Sequence, residues 1–197
     1  MRATRLRAPA TLSALVVLVI AGAPGASAAT IRGTSDDDRI VGTPRNDDVL
    51  ARGGDDVVIT REGRDFVSGG GGADRIVAGR GQDTAFGAAG DDVLRGGRGN
   101  DSLTDWVPTS FDSEGPADDD RIYGGPGADS IGITRGSDVV HAGPGDDQVR
   151  LADDGVADTV RCGPGRDRVV YFAVAADPLD VLVGCERVRV VPSGGPA

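Results

Sequence analysis

Cut every nine residues, the stretch Gly69–Thr104 reads GGGGADRIV, AGRGQDTAF, GAAGDDVLR, GGRGNDSLT. The sixth residue of each line is aspartate (Asp74, Asp83, Asp92, Asp101), and the eighth is apolar (Ile76, Ala85, Leu94, Leu103). A period of nine is that of neither a helix nor a lone strand, so the repeating object is a small supersecondary unit. Outward from this stretch, eight nonads run unbroken from Gly33 to Thr104. Ten residues intervene (Asp105 to Glu114), four more nonads span Gly115 to Arg150, and after Leu151-Ala152 two more span Asp153 to Val170. Aspartate holds the sixth place throughout: Asp38, Asp47, Asp56, Asp65, Asp74, Asp83, Asp92, Asp101, Asp120, Asp129, Asp138, Asp147, Asp158 and Asp167. The eighth is always apolar: Ile40, Val49, Val58, Val67, Ile76, Ala85, Leu94, Leu103, Ile122, Ile131, Val140, Val149, Val160 and Val169.

The units GGGGADRIV, GGRGNDSLT and GGPGADSIG carry a family likeness. The pattern resembles the glycine-rich, aspartate-containing nonapeptide of RTX (haemolysin-type calcium-binding repeat) proteins, over residues 33–170. The residues support the same architecture without the name. Three residues such as Arg75-Ile76-Val77 suit a short strand whose middle side chain points one way. Six Gly-rich residues suit a turn with positive φ. Two nonads then make one coil, and stacked coils predict an all-β, right-handed parallel β-roll of two back-to-back sheets with the eighth-place residues between them.

Stacking sets Asp38, Asp56, Asp74 and Asp92 along one edge and Asp47, Asp65, Asp83 and Asp101 along the other, about 4.8 Å apart. Such columns of like charge call for a hard cation. Calcium accepts six to eight oxygens in forgiving geometry, whereas magnesium demands a near-octahedral shell. Zinc has no His or Cys cluster here. The predicted metal ligands are the sixth-place carboxylates, with backbone carbonyls of turn residues such as Gly70, Gly72, Gly97, Gly99, Gly125, Gly127, Gly143 and Gly145. The resemblance implies several calcium ions, each between successive turns on one edge. Units beginning at Gly33, Gly42, Gly115 and Asp153 depart from the pattern, carrying Asp36, Arg45, Asp118 and Val156 in place of the fourth glycine. No EF-hand loop is present, because the stretches at Asp36 and Asp118 lack its central Gly and terminal Glu.

Before the repeats, Arg2, Arg5 and Arg7 precede the apolar run LSALVVLVIAGA and an Ala26-Ser27-Ala28 site, the order of a cleaved secretory signal over residues 1–28. The competing reading, a membrane anchor, needs about 20 apolar residues. The expected organisation is signal 1–28, extension 29–32, first array 33–104, insertion 105–114, second array 115–170, degenerate repeats with a disulfide cap 171–191, and tail 192–197. Net charge is −10 with no lysine, and loss of the three leader arginines takes it to −13. That surface repels nucleic acid and anionic membranes and attracts cations. Cys162 and Cys185 in an exported chain suggest one disulfide. A degenerate unit at Ala175–Val183, with Asp180 sixth and Leu182 eighth, places the two cysteines in neighbouring coils, within the ~4.4–6.8 Å Cα range of a bridge. The run CGPGRDRV…GCERV is similar to the tails of secreted bacterial calcium-binding repeat proteins.

Trp106 and Phe111 in the insertion read either as a cover for exposed sheet or as a platform for a partner. His141 falls at an outward ninth place, without the acid and nucleophile a triad needs. Asp177-Pro178 is the dipeptide at which some RTX relatives cleave themselves, or a loop at the end of the roll. The leading reading is a secreted, non-enzymatic protein in which calcium drives folding and rigidity. A second is an adhesion or matrix scaffold for a cell-surface or polysaccharide partner, with ninth-place Val41, Leu50, Ile59, Val77 and Phe86 as contact surface. A third is a non-catalytic remnant of a secreted hydrolase.

Overall fold

The computed structural model describes residues 15–18, 29–106, 118–152, 154–172, 176 and 178–191. The expected cleavage site after Ala28, Phe111, Asp177 and the tail 192–197 lie wholly or partly outside them. The strands are β1 (Leu15–Leu18), β2 (Ala29–Arg32), β3 (Asp38–Val41), β4 (Asp47–Gly53), β5 (Val57–Glu62), β6 (Phe66–Gly71), β7 (Arg75–Arg80), β8 (Thr84–Ala89) and β9 (Val93–Arg98). They continue as β10 (Ser102–Thr104), β11 (Arg121–Tyr123), β12 (Ser130–Ile133), β13 (Val139–His141), β14 (Gln148–Ala152), β15 (Thr159–Arg161), β16 (Arg168–Phe172), β17 (Val181–Val183) and β18 (Arg187–Val191). No helix occurs among the described residues.

Each nonad contributes one strand, and successive strands alternate between two sheets. The odd-numbered strands form one nine-stranded sheet and the even-numbered strands the other, in chain order. Every pairing is parallel, and within the first array partners are eighteen residues apart, as in Ile76↔Leu94 and Val67↔Ala85. This is the predicted roll. The eighth-place side chains all lie between the sheets at 0 % exposure.

The glycine-rich residues also join the ladder. Strands β5 to β9 run six residues, as in Arg75–Arg80, rather than the three expected, because the positive-φ residues of neighbouring coils pair with one another: Gly79↔Gly97, Arg61↔Gly79. The insertion leaves the register intact, since Val93 pairs with Arg121 and Ser102 with Ser130. Leu151-Ala152 lengthen β14 and pair with Tyr171-Phe172. Ile133, Leu151 and Tyr171 thereby add a second buried column to the even sheet. Buried Tyr171 keeps a partner for its hydroxyl, which donates to Asp180 Oδ2 at 2.8 Å.

The roll begins before the first complete nonad, with β2 paired to β4 and Ile31 buried against the core. In the leader, β1 pairs in parallel with β3. At the other end, Leu182 lies opposite Val160, as the degenerate unit predicts. The following unit is shorter than the continued frame, with Glu186 reaching the Asp167 column and Val188 opposite Val169. Cys162 and Cys185 are bonded across this end, Cα atoms 5.2 Å apart.

Candidate metal centre

An aspartate that opens a strand directly after a turn has its side chain beside the turn's own backbone. In this roll that places every sixth-place aspartate inside the turn, between 0 and 4 % exposed. One carboxylate oxygen accepts the backbone N–H of the sixth-place residue one coil earlier. Asp56 accepts from Asp38, Asp74 from Asp56, Asp92 from Asp74, Asp120 from Asp92, Asp138 from Asp120, Asp158 from Asp138 and Asp180 from Asp158, at 2.7–3.0 Å. The opposite edge repeats this from Asp47 through Asp65, Asp83, Asp101, Asp129, Asp147 and Asp167 to Glu186, at 2.7–2.9 Å. The two columns predicted from the phase of the repeat are thus hydrogen-bonded ladders. The longer arm of Glu186 lets the shortened last unit complete the second one.

The other oxygen is buried without a protein partner in Asp56, Asp65, Asp74, Asp83, Asp92, Asp101, Asp129, Asp138, Asp147 and Asp167. It points at the first residue of its own unit. A Cβ on Gly69, Gly87, Gly96 or Gly124 would collide with Oδ2 of Asp74, Asp92, Asp101 or Asp129. Second and fourth places hold carbonyls instead. Fourth-place Gly81 (φ 148°) and Gly127 (φ 150°) adopt a conformation that L side chains rarely reach. A Cβ there would also strike Gly63 O and Gly99 O of the preceding coil. Carbonyls of Gly72, Gly97, Gly99, Gly125, Gly127, Gly143 and Gly145 all face the next coil in this way. Gly70 itself packs on Arg52 O.

Burial pushes these carboxyls up, against the lowering effect of the accepted backbone bond. Asp56, Asp65, Asp83 and Asp147 rise to about 6, Asp74, Asp120 and Asp129 to about 7, and Asp92 and Asp138 to about 8. Neighbouring aspartates of the column add a smaller upward push, as Asp120 does on Asp92. A buried, unpartnered carboxylate oxygen requires either a proton or a cation. The donors around it are all oxygens, which suits calcium and leaves no ligand for a soft metal. Among the described residues, no three His, Cys, Asp or Glu side chains converge on one point. An ion in these turns would therefore complete its shell largely from backbone carbonyls.

Two of the units lacking the fourth glycine, those beginning at Gly33 and Gly42, differ at the carboxylate itself. Thr34 N–H donates to Asp38 Oδ2 at 2.6 Å and Thr43 N–H to Asp47 Oδ2 at 2.6 Å, with each threonine hydroxyl donating at 3.0 Å. In these two units the protein supplies donors to Oδ2, while Asp38 Oδ1 stays buried without a partner.

Several polar residues escaped the reading by sixth place. Asp105, first in the insertion, is buried, accepts the Thr134 N–H and hydroxyl on Oδ2, and has Oδ1 unpartnered. Burial raises its carboxyl to about 6. Fifth-place Asp37, Asp55, Asp91 and Asp119 and Asn46 and Asn100 form an outer ladder, each accepting an N–H from the fifth-place residue of a neighbouring coil at 2.8–2.9 Å. Recurrence of Asp or Asn at the fifth place was the available signal. Of the ninth-place residues expected to form a contact surface, Phe86 is buried and Val41, Leu50, Ile59 and Val77 are half-buried, because neighbours in the same column cover them. His141, at its outward ninth place, stacks on Tyr123. Trp106 is half-buried, at the edge of a cavity of about 180 Å³ shared with Ile133, Leu151 and Phe172.

No curated protein matches the chain. The RTX calcium-binding nonapeptide repeat matches it in four copies, over residues 32–67, 68–103, 114–131 and 134–154. The same coil geometry continues past the last copy through β15 to β18. With two buried aspartate columns, glycine turns packed on the preceding coil's carbonyls, and that family covering more than half its length, the chain belongs to the RTX calcium-binding nonapeptide repeat proteins and is a calcium-binding β-roll.

Proposed function

We propose that calcium is the folding cofactor of this roll, that the chain is exported by its N-terminal leader, and that it acts outside the cell as a non-enzymatic, calcium-stiffened scaffold. One observation carries the reading: on both edges, coil after coil, an aspartate oxygen is buried with no partner in the protein. Neutralised by calcium, the columns bind the coils together. Left charged and metal-free, they oppose stacking. The sixth-place aspartates would hold the ions with the second- and fourth-place carbonyls. Calcium supplies the charge and the extra coordination. The protein's part is to exclude water from the carboxylates and fix their spacing through the N–H ladder. The described residues after the leader belong to the roll, which leaves them no separate catalytic domain.

The test is circular dichroism of the mature chain in chelator and then in millimolar calcium. The expected outcome is little β-signal without metal and a cooperative gain on adding it. A chelated protein with the same spectrum and melting temperature would show that calcium is not needed for folding.

A further inference from the structure

Charge is segregated around the roll. The turns that lead into the odd sheet carry Asp36, Asp37, Asp55, Asp91, Asp118, Asp119 and Asp154 against Arg52 and Arg135, whereas those leading out of it carry Arg45, Arg61, Arg64, Arg80, Arg98 and Arg166 against Glu62 and Asp146. The outward seventh and ninth places of β3, β5, β7, β9, β11, β13 and β15 hold Arg39, Arg75, Arg95, Arg121 and Arg161 and no acidic residue. A protein of net charge −10 therefore presents one basic quarter.

Within that quarter lies an open groove of about 610 Å³. One wall is the ninth-place column, where the Arg95 guanidinium sits 4.5 Å above the Tyr123 ring. Tyr123 in turn stacks on His141, centroids 5.2 Å apart and planes at 11°. The opposite wall is the third-place column of Arg80, Arg98 and Pro126. Second-place Gly79, Gly97 and Gly125 leave that part of the floor as bare backbone, with second-place Arg61 at its end. Because walls and floor are columns of the repeat, the groove runs along the stacking axis. The only acid lining it is Glu62, which is paired with Arg80 at 3.3 Å.

We propose that this groove binds a linear acidic polysaccharide. A chain laid along the axis would set its carboxylates or sulfates against Arg80, Arg95 and Arg98 and a sugar hydroxyl against the edge of Tyr123, whose two faces are taken by Arg95 and His141. Guanidinium forks suit such anions. The stack on Tyr123 holds the Arg95 guanidinium in place before binding, which lowers the ordering cost. A nucleic acid would find no free aromatic face here, and its phosphates form a dense line of charge that the acidic turns around the groove repel.

The experiment uses the calcium-loaded mature protein and hyaluronan oligosaccharides in calorimetric titration, with dextran and oligo(dT) in parallel. Hyaluronan is expected to bind and dextran not. Arg80→Gln with Arg98→Gln should weaken hyaluronan by about tenfold or more, as loss of two charge-assisted contacts implies. Arg168→Gln with Arg187→Gln, the same charge change on the other sheet, should alter it less than about twofold. Tyr123→Ala gives a second reading should the first pair disturb the calcium-dependent fold. Absence of hyaluronan binding, equal loss in both arginine pairs, or oligo(dT) bound as tightly as hyaluronan would each overturn the proposal.

Discussion

At the scale of single residues, the nonapeptide is a list of places where a side chain would occupy space already taken by oxygen. Gly81 and Gly71 test this. Gly81 has φ 148° and Gly63 O where its Cβ would go, whereas Gly71 has open space around it. Gly81→Ala is expected to cost more than about 2 kcal/mol and Gly71→Ala less than about 0.5 kcal/mol, read from thermal melts in calcium. Arg52, Arg61 and Ala88 already carry positive φ at second places, so mild strain there is tolerated. The aspartates differ by place in the same way. Asp74→Asn keeps an acceptor for the Asp56 N–H but removes the charge. It should reduce the calcium-linked stabilisation by about one site, roughly 2.7 kcal/mol at a hundredfold excess of calcium over Kd. Asp36→Asn, exposed and outside the column, should leave that response nearly unchanged in the same titration.

At the scale of the element, a coil is held by its neighbours along the stack, so the last coil is the weakest. Val181, Val183 and Val188 are about half exposed there, and the even sheet ends at β18. The Cys162–Cys185 bond closes a loop of 23 residues over that end. Cys185→Ser should destabilise the roll by about 3 kcal/mol. The loss should appear first as faster amide exchange in Val181–Val183 and Arg187–Val191, with β5 to β9 unaffected. Uniform exchange along the roll would mean that the coils do not open from this end.

At the scale of the whole molecule, the carboxyl ladders couple folding to both proton and metal. Aspartates of ordinary value 3.8 rise to about 6 in Asp56, about 7 in Asp74 and about 8 in Asp92. A pKa raised in the folded state favours folding below the unfolded value and loses that contribution as pH climbs through the folded one. The metal-free roll should therefore melt highest near pH 4 and weaken progressively across pH 6–8. Calcium, taking the proton's place, should flatten this dependence and release protons on binding near pH 7. Melting curves in chelator and in calcium across pH 4–8 check both signs. A metal-free protein more stable at pH 8 than at pH 4 would contradict the burial of these groups.

The sequence by itself determined the strand order, the two aspartate columns, the buried eighth-place residues and the disulfide. A strict nine-residue phase admits one way of stacking, so each eighth-place residue from Ile40 to Val169 had to face the same interior. It also announced the family, because Gly and Asp recur where only backbone and carboxylate fit. The tertiary structure decided what happens across coils, between residues eighteen or more apart. It showed that one carboxylate oxygen serves the N–H ladder and that in ten of the sixth-place aspartates the other is left over. It drew Asp105 into the interior, shortened the last unit to Glu186, and gathered Arg80, Arg95, Arg98 and Tyr123 around one groove. The groove residues come from three successive coils and from places that vary from unit to unit. Register is periodic and so legible in one dimension, whereas charge complementarity depends on which columns the coils bring side by side.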